Sequence, residues 1–266
     1  MHTNYRFLRE PSGAVEPSGL SVPHVIPPVE QQVLRLLMVN YVNGITVAVH
    51  REVFEAVGRF DLRFRYGQDY DLWLRISARY RARFLDRPTS VTRLHPNQGT
   101  ALFTEAGIYD SARAAAAFLD TQPFEALFPA LDLTQPDHAA AALMATLQAR
   151  FQPQAFVTRC GYAPLLEDRL VDWLARAGEP VRASLQGQLR QALPTAGDPA
   201  VRALVERLAT VPAGGFRFEP REPLALIEAH LARLEREGPA LEAAAVQRYL
   251  RMIKDTRSTG LEARAS

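Results

Sequence analysis

The sequence predicts an α/β region, a mixed sheet with helices, over residues 1–103, followed by an all-α region over residues 104–266. Three observations carry this. Short β-branched and aromatic runs, bounded by turn residues, recur up to Leu94. Apolar stripes of helical period lie between them, around Leu36 and Leu72. After about Thr104, long alanine- and leucine-rich stretches take over, punctuated by Pro123, Pro129, Pro136, Pro153 and Pro164.

Residues 4–8 read as a short strand and Ser12-Gly13 as a turn. Residues 16–28, rich in proline, serine and glycine, predict an irregular loop. Val33, Leu36 and Leu37 give residues 30–39 a helical stripe. Residues 45–49 are β-branched and apolar, which predicts a buried strand. Residues 51–57 predict a short helix closed by Gly58. Leu72, Trp73, Ile76 and Tyr80 place a helix over 70–80. Residues 82–85 and 90–94 predict two short strands around a turn at Asp86-Arg87-Pro88. Further on, helices are predicted over 108–119, 138–151, 165–177, 183–193, 199–210, 223–237 and 241–255, with a polar, frayed tail from Thr256. No repeat of fixed length is visible.

Composition bounds the function. Hydrophobic residues make up 47%, ample for a core, and charged residues an ordinary 23%. The net charge of +2 excludes a strong nucleic-acid or membrane-binding field. Residues 1–100 hold 13 basic and 9 acidic side chains, a mild excess that suits an anionic ligand. Cys160 is the only cysteine, so no intrachain disulfide forms and a reducing compartment fits. Its expected role is that of a small buried apolar residue. The longest apolar stretch, residues 33–42, is interrupted by Arg35 and Asn40 and falls far short of the roughly 20 residues that cross a bilayer. The expectation is a cytoplasmic protein, at most peripheral to a membrane.

The informative stretch is Asn40 to Thr100. It runs through Gly44, then Arg51-Glu52 and Val57-Gly58-Arg59-Phe60-Asp61. Next come Gly67-Gln68-Asp69-Tyr70-Asp71-Leu72-Trp73-Leu74-Arg75, and finally Arg93-Leu94-His95-Pro96. In this order and spacing the four elements resemble the family 2 glycosyltransferases of GT-A fold. The resemblance covers about a third of the chain. It departs at Gln68, where the family has glutamate before its aspartate.

The resemblance implies an inverting transfer of a sugar from a nucleotide-sugar donor to a saccharide or lipid-linked hydroxyl acceptor, as in polysaccharide biosynthesis. Asp69 matches the catalytic aspartate, the general base that takes the acceptor's proton. Its place at a predicted helix start favours the ionised form; a helix cap is its alternative role. His95 matches a histidine that resembles a metal ligand, for manganese or magnesium, and its alternative is a structural loop histidine. Gly44 matches a glycine near the donor, with a strand-start glycine as the alternative. Gln68, Trp73 and Arg75 on the motif segment are the further substrate-binding candidates. A core position is the favoured role for Trp73.

Family members begin with a nucleotide-binding region ending in an aspartate-x-aspartate metal motif. Here residues 3–9 resemble the strand beyond that motif, so residues 1–103 read as the C-terminal, acceptor-side half of the domain. Asp69-Tyr70-Asp71 has the spelling but belongs to the general-base segment. The expectation is a chain not active alone, its donor side supplied by a partner chain or by coding sequence upstream. The alternative is a non-catalytic helical interaction protein that carries a glycosyltransferase remnant.

Overall fold

A computed structural model describes residues 1–17, 27–95, 97–99, 103–152, 160–237 and 243–251. Strand β1 (His2–Arg9) lies at the centre of a three-stranded sheet. Strand β2 (Ala14–Pro17) returns antiparallel beside it, with Arg9 facing Ala14 and Arg6 facing Pro17. Residues 16 and 17 thus belong to a strand, not to the expected loop, and residues 18–26 of that loop lie outside the described residues. On the other side of β1, residues 84–94 form one strand, β3 (Phe84–Leu94), parallel to β1. The two short strands expected around Asp86-Arg87-Pro88 are therefore a single strand. Register shifts on both sides of Asn4 absorb the extra residues, and Asn4 Nδ2 donates to Asp86 Oδ1 at 3.0 Å. Pro88, which has no N–H to give, is tolerated because β3 is an edge strand.

Helix α1 (Gln32–Met38) buries Val33, Leu36 and Leu37. The strand expected at 45–49 does not form. Gly44–Thr46 is a 3-10 turn, and Ile45 is 58% exposed. The Asn43 side chain accepts the Ile45 N–H at 3.3 Å, and the Thr46 hydroxyl donates to the Asn43 carbonyl at 2.8 Å. Such local bonds occupy backbone groups that a ladder would need. The Gly44–Thr46 turn lies against β1 and β3, and Ala48 exchanges two hydrogen bonds with Met1, just ahead of β1.

Helix α2 (Arg51–Val57) ends as its sequence predicts, with the Gly58 N–H donating to the Phe54 carbonyl at 3.0 Å. Gly58 has φ 82° and ψ −178°, a region essentially reserved for glycine. Gly58→Ala is expected to cost about 1–3 kcal/mol of stability. A urea titration reads this as a lower midpoint at constant slope, and an unchanged midpoint would contradict it.

Helix α3 (Gln68–Ser77) buries Tyr70, Leu72, Trp73 and Leu74, and the Tyr70 hydroxyl donates to the Leu36 carbonyl of α1. After β3 the described residues contain helices and turns but no strand. The helices are α4 (Thr104–Thr121), α5 (Pro136–Arg150), α6 (Ala163–Arg176), α7 (Glu179–Ala192), α8 (Pro199–Thr210), α9 (Pro223–Glu237) and α10 (residues 243–251). Prolines stand in the first turn of α5 to α9, where the missing N–H would have had no partner in the helix. Asp198 caps α8, accepting the N–H groups of Ala200 and Val201 at 2.7 and 3.2 Å. Of the helix expected at 241–255, residues 243–251 are described and helical; the polar tail lies outside the described residues.

The α/β region and the helical region share one core. Helix α4 packs on α3, and α5 packs on α1. Leu36, Tyr70, Leu119, Phe124 and Leu165 are all buried in the same cluster. The change at residue 103 is a change of composition within that core. Cys160 is buried in it. Among the described residues no helix is long and apolar enough to cross a membrane.

Candidate functional site

Asp69 stands in the first turn of α3, half-buried. Gly67 holds the cap position and makes no side-chain cap, so Asp69 is not the N-cap residue. Its Oδ1 accepts the Tyr70 N–H at 2.7 Å. Its Oδ2 points toward Gly44: a Cβ there would lie 3.5 Å from that oxygen and 3.9 Å from Trp73 Cζ2. The structure thus brings Gly44, Asp69 and Trp73 together across 25 and 29 residues of sequence. The helix start does not dominate the carboxylate's protonation. Burial raises the Asp69 pKa above 3.8, and the backbone N–H groups of Tyr70 and Asp69 only partly oppose it. A carboxylate that holds its proton more tightly is a stronger base.

The other candidates are placed differently. Trp73 is 7% exposed and belongs to the core, and its indole N–H has no hydrogen-bond partner among the described residues. The Gln68 amide faces the carbonyls of Phe64 and Arg65 at 3.0 and 2.7 Å, and donates to both with its nitrogen turned toward them. Arg75 is a structural clamp. Its Nε and Nη2 donate to Asp71 Oδ2 at 3.0 and 2.6 Å, and Nη2 also reaches the Arg59 carbonyl at 2.8 Å. Its Nη1 reaches the Val57 carbonyl, so the guanidinium closes the turn after α2. Asp71 is thereby spent on an ion pair inside its own helix.

His95 follows β3, half-buried, in a turn where its N–H donates to Gln98 Oε1 at 3.3 Å. The parallel register puts it beyond the Leu94 carbonyl, which accepts the Glu10 N–H at 3.1 Å. The chain leading on from Gly44 bonds through Ala48 to Met1, just ahead of the other end of β1. The described residues gather no group of three or more histidine, cysteine, aspartate or glutamate side chains that could hold a metal ion. Among the described residues, then, no such group forms around His95.

One residue escaped the sequence. Asp110 on α4 is fully buried. Its Oδ2 accepts the N–H groups of Tyr66 and Gly67, at 2.8 and 3.2 Å, and its Oδ1 accepts the Tyr249 hydroxyl of α10 at 3.2 Å. Arg113, one turn on, donates to the Arg63 carbonyl and lies 5.1 Å over the Phe64 ring. A signal did exist: a carboxylate and an arginine three residues apart on an otherwise alanine-rich helix need buried partners. No motif said which partners. No family model matches this chain, and no curated protein or solved structure matches it either.

Proposed function

We propose that this chain holds the acceptor side of a sugar-transfer reaction, with Asp69 as its general base. The observation that carries the reading is the half-buried Asp69 carboxylate, its Oδ2 facing the space that Gly44 leaves by lacking a side chain. An acceptor hydroxyl placed there gives its proton to Oδ2. Its oxygen bonds to the anomeric carbon as the bond from that carbon to the nucleoside diphosphate breaks, which inverts the configuration. The motifs from Asn40 to Pro96 supply the family reading, a family 2 glycosyltransferase of GT-A fold.

The donor side lies, in this reading, outside these 266 residues, and the sheet offers it a place to pair. Ten of the eleven large apolar side chains exposed among the described residues lie within residues 1–103. They include Leu85 and Val91 of β3, the strand at the edge of the sheet. Among the described residues β3 pairs on one side only, and an unpaired strand edge recruits strands.

The purified 266-residue chain is expected to transfer no sugar by itself, because positioning and charge stabilisation at the diphosphate supply most of the rate in such reactions. A panel of radiolabelled nucleotide sugars with saccharide acceptors tests this. Turnover by the chain alone would overturn the division of labour, and tight metal-dependent binding of a nucleoside diphosphate would do the same.

A further inference from the structure

The turn from Arg63 to Gly67 delivers the chain into α3, and Asp69 is the second residue of that helix. Nothing in the turn's own sequence is apolar enough to bury it by itself, apart from Phe64 and Tyr66. The turn is held from the helical region. Tyr66 stacks on Phe103, ring centroids 5.1 Å apart. Two charged side chains of α4 hold the backbone: Arg113 takes the Arg63 carbonyl, and Asp110 takes the Tyr66 and Gly67 N–H groups. The approach is close enough that glycine is required. A Cβ at Gly67 would lie 2.9 Å from the backbone carbon of Asp110 and 2.9 Å from the Ser111 nitrogen.

We propose that Asp110 is a positioning residue for Asp69: it fixes the Tyr66–Gly67 backbone, and so sets where α3 starts and how deeply the Asp69 carboxylate sits against Gly44. The inference rests on the reading of Asp69 as the working carboxylate, and it gives the helical region a part in that site. Three features make Asp110 suited to the task. It is fully buried, so its charge has no water to turn to. A carboxylate accepting two N–H groups makes charge-assisted bonds, stronger than neutral ones. Its second oxygen is held by Tyr249 of α10, which prevents the side chain from rotating away. The Arg113 guanidinium, 3.9 Å from Oδ1, balances the charge.

A role confined to packing would lower stability and leave the Asp69 environment as it is; a positioning role moves that environment. The test is run on the whole chain with Asp110→Ala, Asp110→Asn and Tyr249→Phe. The Asp69 carboxyl is titrated by carbon-13 NMR, and amide exchange is followed at Tyr66 and Gly67, below the melting temperature of each variant. Asp110→Ala is expected to bring the Asp69 titration back toward 3.8, as the loosened helix start hydrates, and to speed exchange at both amides at least about tenfold. Asp110→Asn keeps one acceptor oxygen and is expected to restore part of both. Tyr249→Phe is expected to shift both in the same direction by less. If Asp110→Ala fails to fold, the comparison of Asp110→Asn and Tyr249→Phe with the parent still decides. An Asp69 titration and Tyr66–Gly67 exchange unchanged in every folded variant, with only the melting temperature lowered, would overturn the proposal. None of these readouts uses a sugar, so they stand or fall separately from the transfer assay.

Discussion

Asp69→Asn is expected to lower sugar transfer by about 10²–10⁴-fold, in any assembly of this chain that performs it, while the fold survives. The amide can still accept the Tyr70 N–H through its oxygen, so the first turn of α3 keeps that bond. It cannot take the acceptor's proton. The same substitution has a signature in stability. Burial raises the folded-state pKa of Asp69 above the 3.8 of an exposed carboxyl. The unfolded chain therefore releases its proton first as the pH rises. Stability contributed by this group falls from pH 3.8 up to the folded pKa, and remains reduced above it. Asp69 thus destabilises the fold at neutral pH, and asparagine relieves that cost. The urea midpoint of Asp69→Asn at pH 7 is expected to equal or exceed the parent's. A midpoint well below the parent's would show that Asp69 is a structural residue, and transfer at the parental rate would remove it from the chemistry.

Gly161→Ala is expected to destabilise the protein by about 3 kcal/mol or more, with a fall in melting temperature on the order of 10 °C. Gly161 precedes α6 at φ 82°, where a side chain is strained whatever the space. Space is also lacking. The new Cβ would lie 2.6 Å from His230 Cβ and 2.8 Å from its Cγ, on α9. His230 is 6% exposed and packed among its neighbours, so it has little freedom to retreat. The clash involves the first carbon of the histidine, and this gives a sharp control. His230→Ala retains that carbon and is expected not to rescue Gly161→Ala. Scanning calorimetry of the two single variants and the double variant decides. Full rescue would mean that the ring alone, and not the close approach of backbone segments, makes the contact.

The residues that proved legible are those whose structure is decided locally. Gly58 closes α2 because only glycine takes its backbone angles. Helix α8 runs from Pro199 to Thr210, as its sequence predicts, because Asp198 and Pro199 mark its start. Two kinds of information were hidden. At Ile45, an apolar β-branched pattern lost to the hydrogen bonds of Asn43 and Thr46, which favour a tight turn over a ladder. At Pro88, the sequence pattern of a hairpin gave way to parallel pairing with a strand more than eighty residues away. Nothing nearby in the chain reports such a partner. The candidate site divides in the same manner. Asp69 and Gly44 are found in the sequence through motifs and meet in the structure. Arg75 has the motif's identity, but its guanidinium is committed to Asp71 and two carbonyls. Asp110 carries no motif at all, because its task is to satisfy backbone donors, and any chain with a suitable fold could place that carboxylate elsewhere.

The bond from Tyr249 to Asp110 joins residues 139 positions apart. During synthesis at about 5–20 residues per second, Asp110 leaves the ribosome on the order of ten seconds before its last partner exists. In that interval its second oxygen is answered only by Arg113, and the turn that leads to Asp69 is clamped from one side. The carboxylate site is therefore completed only after α10 has emerged, and a nascent chain halted before α10 would carry the full motif from Asn40 to Pro96 without its finished geometry.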